Sequence, residues 1–230
     1  MKKNLNVVII GNGVAGAKAA QTIRELIPSS KITMISNEDT PFYFRPQLVD
    51  FLSGRTTQKK IVSKPDGFYS KNRISLLKGI EVLSVISSRN QVLLSSKKKI
   101  GYDKLLIASG IRIDSSGYKL RKEENIFSLQ TLRDAKELKN KLPSLKEITV
   151  FGENILAFEF LRLLSSYPRL KVQYLIRKDR LWPEFFDKRL SEIIEGIFEN
   201  NNIELIYKSE AYGIIKNRGN FSIVLKNKKE

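Results

Sequence analysis

Leu5-Asn6-Val7-Val8-Ile9-Ile10 runs directly into Gly11-Asn12-Gly13-Val14-Ala15-Gly16, and an alanine-rich stretch, Val14–Ile27, follows before Pro28. The β-branched run suits a strand buried on both faces of a parallel sheet. The stretch after it sets Ala, Ile and Leu at helical spacing, and Pro28 ends it. Lys31–Ile35 (KITMI) alternates as a second strand. Strand, glycine turn, helix and strand within about thirty residues make a βαβ unit. In that setting G-x-G-x-x-G is the fingerprint of a dinucleotide-binding turn. Gly11 permits the tight turn, Gly13 lacks a Cβ so that backbone can approach a pyrophosphate, and Gly16 lets helix and strand pack closely. Val14 and Ala15 open the helix, whose free N–H groups and positive dipole end face the phosphate. Such a site calls for an acid about twenty residues on, to hold a ribose. Glu38 and Asp39 lie just past the second strand, and Glu38 is the better placed.

The same plan returns further along. Glu147–Phe151 (EITVF) reads as a strand, Gly152 as its turn, Leu156–Ser165 as a helix and Lys171–Ile176 (KVQYLI) as a strand. Thr131–Leu142 and Phe185–Asn200 read as amphipathic helices, Ile203–Tyr207 as a core strand and Asn220–Lys226 as an exposed antiparallel strand. Between the two units, Leu48–Leu52 is a short helix ending at Gly54, and Glu81–Ile86 pairs with Gln91–Leu94 around Ser88-Arg89-Asn90. Lys104–Ala108 (KLLIA) is a buried strand closed by Ser109-Gly110. Arg112–Arg121, rich in Ser, Gly and Lys, marks the break. The expected fold is α/β, two tandem Rossmann-like domains over residues 1–112 and 113–230.

The 230 residues carry 41 basic and 24 acidic side chains, a formal charge of +17, with no cysteine and no histidine. The two zeros exclude disulfides, thiol nucleophiles, CxxC redox pairs, thiolate-bound iron–sulfur clusters, zinc sites built on Cys or His, and Ser-His-Asp triads. Electron transfer by this chain therefore needs an organic cofactor. The charge is uneven: residues 1–112 hold 19 basic and 7 acidic side chains, residues 113–230 hold 22 and 17. It reads either as a solvated lysine-rich surface or as attraction to anionic cofactors and acidic partner proteins. No motif or aromatic–basic interleaving supports nucleic acid as a partner. No run approaches the roughly 18 apolar residues of a membrane span. Leu5–Ile10 breaks at glycine, with no cleavage pattern after it, so the expected location is cytoplasmic.

Phe42-Tyr43-Phe44-Arg45-Pro46-Gln47-Leu48 and Gly101-Tyr102-Asp103-Lys104-Leu105-Leu106-Ile107-Ala108-Ser109-Gly110, in order after the glycine turn, resemble the flavin-dependent pyridine nucleotide–disulfide oxidoreductases, nearest the rubredoxin reductase, ferredoxin reductase and nitrite reductase large-subunit type. The resemblance implies FAD on the first domain. Arg45 and Pro46 would lie along it, Val82 would offer backbone groups to the adenine, and Ala108, Ser109 and Gly110 would pass close to it. Ser109 stands where the family usually has threonine, and Asp50 where relatives often carry a basic residue; Asp50 reads first as a solvated or capping acid.

Phe151-Gly152-Glu153-Asn154-Ile155-Leu156-Ala157-Phe158-Glu159 is similar to the family's NAD-binding turn, G-x-G-x-x-G/A-x-E. Gly152, Ala157 and Glu159 match, and Glu159 would sit near the nicotinamide. Asn154 replaces the middle glycine, a residue tolerant of positive φ. Arg177-Lys178 stand where an NAD site wants an acid. They read either as acceptors of the 2′-phosphate of NADPH or as the mark of a fold retained after its cofactor site decayed. Gln130 stands where the family usually has arginine, and Trp182 reads as packing.

In the family the flavin domain resumes after the nicotinamide domain and ends on a Gly-Asp pair, a dipeptide missing from these 230 residues. The first domain is therefore expected to be incomplete, as a fragment, as one chain of a split enzyme whose partner chain supplies the rest, or as a degenerate homologue. The resemblance implies an FAD-dependent NAD(P)H oxidoreductase delivering electrons to a small acidic carrier of the rubredoxin or ferredoxin type. The alternative is a non-catalytic FAD- or nucleotide-binding scaffold with a decayed NAD site.

Overall fold

A computed structural model describes residues 4–111, 125–217 and 220–226; the expected linker Arg112–Arg121 lies outside them. In chain order the elements are β1 (Asn6–Ile10), α1 (Val14–Leu26), β2 (Lys31–Ile35), α2 (Leu48–Leu52), α3 (Gln58–Ile61), α4 (Asp66–Lys71), β3 (Ile74–Leu77), β4 (Val82–Ile86), β5 (Gln91–Leu94), β6 (Lys99–Gly101), β7 (Lys104–Ile107), α5 (Leu132–Lys141), β8 (Glu147–Phe151), α6 (Ile155–Leu164), β9 (Lys171–Leu175), α7 (Lys188–Glu199), β10 (Ile203–Ile206), β11 (Ala211–Asn217) and β12 (Asn220–Leu225). They divide into two units, residues 1–45 with 56–112, and residues 46–55 with 113–230. The ten residues around α2, 46–55, group with the second unit.

The first unit is built on a parallel sheet of order β3-β2-β1-β7. β1 is central, with Val8 opposite Thr33 of β2 on one side and Leu105 of β7 on the other. Its run of Val and Ile is buried on both faces, as a central parallel strand requires. α1 packs through Gly16, Ala17 and Ala20, small residues that bring the helix axis close to the sheet. At the far end of α1, Arg24 donates to the carbonyls of Pro28, Ser30, Asn72 and Arg73, at 2.7–2.9 Å. One guanidinium thus satisfies the loop after α1 and the turn before β3 together. β4, β5 and β6 form a separate antiparallel sheet, joined at the expected turn where Asn90 adopts φ +50°.

In the second unit the parallel sheet has order β10-β9-β8. α5 starts on a capping box. Thr131 Oγ1 accepts the Asp134 N–H, and Asp134 Oδ2 accepts the Thr131 N–H. Near its end, Lys139 donates to the Phe51 carbonyl of α2 at 2.7 Å and lies 4.5 Å from the centre of the Phe51 ring. α7 begins at Lys188, three residues later than the amphipathic pattern suggests, because Asp187 caps it by accepting the Leu190 N–H at 2.8 Å. Asn220–Leu225 is an antiparallel strand, paired with β11. Of the described helices none is long and apolar enough to cross a membrane.

Candidate dinucleotide-binding site

β1 has β2 on one side, reached through α1, and β7 on the other, reached only after the rest of the unit. The strand order therefore reverses at β1. In open α/β sheets ligands bind outside the carboxyl ends of the strands at such a point. Gly11-Asn12-Gly13 leaves β1 there, and Ala108-Ser109-Gly110 leaves β7 there. The Ala108 N–H donates to the Ile10 carbonyl at 2.7 Å, bringing two predicted segments together across 98 positions of sequence.

The three glycines have three different surroundings. Gly11 adopts φ +110°, and a Cβ on it would stand 2.1 Å from the Ala108 carbonyl oxygen. A Cβ on Gly16 would stand 2.1 Å from the Gly11 carbonyl oxygen and 3.3 Å from the Met34 methyl. These two glycines are demanded by the fold itself. Gly13 has an extended backbone, φ −93°, and no described atom within 4 Å of where its Cβ would lie. Its openness serves the space in front of the turn. The first intrahelical bond of α1 is from the Ala17 N–H to the Gly13 carbonyl, and among the described residues no side chain caps the helix. The N–H groups of Val14, Ala15 and Gly16 thus precede the first helical bond, with Val14 64% exposed. Asn12 is turned out of the way: Tyr69, buried, donates its hydroxyl hydrogen to Asn12 Oδ1 at 2.9 Å and accepts the Phe42 N–H at 3.0 Å. Burial raises the Tyr69 pKa, while its hydrogen bonds to Phe42 and Asn12 act against that shift. These features fit a dinucleotide pyrophosphate.

Glu38 lies beyond β2, as expected of the ribose acid. Its carboxylate accepts the Tyr43 hydroxyl at 2.6 Å on one oxygen and the Arg45 guanidinium at 2.5 Å on the other. Tyr43 and Arg45 are two positions apart beside an isolated bridge from Tyr43 to Val62, so both side chains reach the same acid. The Glu38 carbonyl accepts the Gly79 N–H and the Ser36 carbonyl the Ile80 N–H, which carries the chain past Glu38 into β4, where Val82 begins the strand. Arg45 is thus held on Glu38. Pro46 follows in a short 3-10 turn, Arg45–Gln47, and groups with the second unit. Asp50 is bridged by Arg55, whose Nε and Nη2 reach Oδ1 at 2.9 and 2.6 Å.

The second glycine turn keeps the backbone and changes the side chains. Gly152 adopts φ +131°, and its carbonyl accepts the hydroxyl hydrogen of Tyr174, which in turn accepts the Trp182 indole N–H. Burial, opposed by the Trp182 hydrogen bond, pushes the Tyr174 pKa up to about 12. Trp182 is buried among Phe158, Phe185 and Phe186, a packing residue. Asn154 has φ −149°, extended like Gly13, so tolerance of positive φ is not what its position asks for. Its Oδ1 accepts the Ala157 N–H at 3.0 Å. Glu153 accepts the Arg177 backbone N–H at 2.9 Å and its guanidinium at 3.0 Å. Burial of Glu153 opposes ionisation, but the Arg177 hydrogen bonds and the charges of Arg177 and Lys178 outweigh it and hold the carboxyl below its ordinary range. Lys178 pairs with Glu184. Glu159 pairs with Arg162 one turn along α6.

Tyr43, Tyr69, Glu153 and Tyr174 join these sites beyond the residues expected there. Glu153 carried a signal, an acid inside a glycine turn with two basic residues after the next strand. Tyr43 stands in the stretch that carries the family resemblance, while Tyr69 and Tyr174 carried no signal, since each acts through a hydroxyl whose partner is set by tertiary packing.

A family profile described as pyridine nucleotide-disulphide oxidoreductase matches residues 5–230. The chain is 31% identical over 157 residues to rubredoxin-NAD(+) reductase of Pseudomonas putida, covering 66% of this chain and 40% of that protein. It is 29% identical over 209 residues to NADH-rubredoxin oxidoreductase of Clostridium acetobutylicum, covering 88% and 54%. Among solved structures, the covalent putidaredoxin reductase–putidaredoxin complex superposes with a TM-score of 0.83 at 21% identity, covering 98% of this chain and 55% of the other, a likeness of fold. The chain spans less than two thirds of the length of these relatives.

Proposed function

From a chain that belongs to the pyridine nucleotide-disulphide oxidoreductase family, we propose that the first unit binds FAD and serves an NAD(P)H-dependent reductase that passes electrons to a small redox protein of the rubredoxin or ferredoxin type. The observation that carries this reading is the helix end at Gly13–Gly16, open in front of Gly13, with Ala108 packed against Gly11 at the switch point of the sheet.

The residues present fit the cofactor. The N–H groups of Val14, Ala15 and Gly16 would take the pyrophosphate oxygens, with the dipole of a thirteen-residue helix behind them. Glu38 has two oxygens with about four acceptor positions. Tyr43 and Arg45 fill two and fix its orientation, leaving positions for ribose hydroxyls. Tyr69 holds Asn12 away from the phosphate path. FAD, when bound, supplies exchange of electron pairs with a nicotinamide and of single electrons with a carrier.

The protein acceptor is supported by the names of the relatives and by the absence of cysteine from these 230 residues, which leaves them no dithiol relay. The formal charge of +17 favours an acidic carrier, whose encounter it would steer. Because the relatives are longer, the complete reductase of this reading includes protein beyond the 230 residues, in the same chain or in a partner chain.

FAD titration of the purified chain, followed by visible absorbance and flavin fluorescence quenching, tests the reading. Saturable binding that weakens on Gly13→Ala is the expected result. A chain that binds no FAD, alone or completed by the remaining length of a reductase, overturns it.

A further inference from the structure

The two glycine turns have the same backbone and opposite states. At the third helical position of α1 the Gly16 N–H has no side-chain cap, whereas at the same position of α6 the Ala157 N–H is taken by Asn154 Oδ1 at 3.0 Å. Beside it the Glu153 carboxylate reaches from the turn to the end of β9 and closes on the Arg177 N–H and guanidinium. A dinucleotide in this fold uses those two places, the helix N–H groups for its pyrophosphate and the end of the second strand for its adenosine ribose. Both are filled here by the chain's own oxygens, and one of them is an anion. As arranged, the residues of the second turn do not fit a nicotinamide dinucleotide.

We propose that Asn154 and Glu153 form a latch on the second unit, so that a nicotinamide dinucleotide binds only by displacing the Asn154 cap and opening the Glu153–Arg177 bridge. This rests on the reading that the second unit is the nicotinamide unit. The turn behind the latch is intact. Gly152 keeps φ +131°, no described atom lies within 4 Å of its missing Cβ, and Tyr174 and Trp182 brace its carbonyl. The latch is thus a matter of two side chains on a competent backbone.

The two halves of the latch meet different parts of the ligand. The Asn154 cap competes with the pyrophosphate, which NADH and NADPH share. The Glu153 bridge stands at the adenosine ribose of either, and bears hardest on NADPH, which alone carries a 2′-phosphate there. That phosphate has a place to go: a recess of about 490 Å³ lined by Arg177, Lys178, Asp179 and Lys208 lies at the end of β9. Glu153→Ala removes the carboxylate that holds Arg177, and Asn154→Gly removes the oxygen that holds the Ala157 N–H.

The test is calorimetric titration of the full chain, saturated with FAD, with NADH and with NADPH, for the wild type, Asn154→Gly, Glu153→Ala and Glu153→Gln. Glycine is nearly as good an N-cap as asparagine, so Asn154→Gly keeps α6, and circular dichroism checks it. Asn154→Gly is expected to tighten both ligands about twofold or more, the factor that matches the small difference between an asparagine and a glycine cap. Glu153→Ala is expected to tighten NADPH more than NADH, and Glu153→Gln, which keeps an acceptor for the Arg177 N–H, to fall between. Wild type binding as tightly as all three variants overturns the latch and leaves the nicotinamide reading standing. Failure of all four proteins to bind either ligand while FAD is held overturns both.

Discussion

Gly13 and Gly16 are separated by one turn of chain, and alanine at each should do opposite things. Gly16→Ala puts a methyl 2.1 Å from the Gly11 carbonyl oxygen, an atom of backbone whose own turn is pressed against Ala108. To reach ordinary van der Waals contact the helix must lift by more than an ångström from β1, opening the interface made by Ala17 and Ala20. Overpacking of this kind costs about 1–3 kcal/mol, and the upper end applies because the obstruction is backbone. Gly13→Ala meets no described atom within 4 Å and asks for φ −93°, which alanine adopts freely. Its cost to folding is that of a poorer N-cap, about 1 kcal/mol or less. In front of it, however, the methyl stands where phosphate oxygens must approach. Losing one charge-assisted hydrogen bond of about 1.5–3 kcal/mol weakens FAD by roughly ten- to a hundredfold. Urea denaturation and FAD titration of the two variants separate the effects. Gly13→Ala holding FAD as tightly as wild type, or Gly16→Ala unfolding at the wild-type midpoint, would refute the division of labour between the two glycines.

Tyr174→Phe removes the acceptor of the Trp182 indole, which is buried, and the donor to the Gly152 carbonyl, which is half-buried; a loss of about 1–3 kcal/mol is expected in chemical denaturation, and an unchanged midpoint would show that water replaces the hydroxyl. Thr131→Ala breaks the capping box of α5 and should cost about 0.5–2 kcal/mol, whereas Thr131→Ser should restore most of it. Because Glu153 titrates below its ordinary value of 4.5, its bridge to Arg177 contributes in full above that pH and is lost as pH falls through the lowered folded value. Stability of wild type relative to Glu153→Gln should therefore be flat from pH 5.5 to 8 and converge only below about 4.5; a difference that decays near neutrality would assign the effect to another group.

The two βαβ units and their glycine turns were legible in the sequence because each depends on neighbours in the chain. The apolar run of β1, the small residues on the buried face of α1 and the turn between them are local patterns with local causes. Short elements were not legible. β3 is a four-residue strand whose place is set by pairing with β2, and β11 exists through its partner β12. Residues 46–55 lie between segments of the first unit yet group with the second, since α2 buries its apolar side chains with α5 and α6.

For the candidate site the division is similar. Residue types and their spacing already showed that a glycine turn opens a helix after β1, that an acid follows β2, and that a second turn carries Asn and Glu where the first has Gly and Asn, because backbone conformation is set within a few positions. The pairings came from folding: Ala108 against Gly11, Tyr69 on Asn12, Tyr43 and Arg45 on Glu38, Glu153 on Arg177. Those contacts join chain segments between five and 97 positions apart, and a polar side chain finds its partner through the packing of elements that no local pattern records.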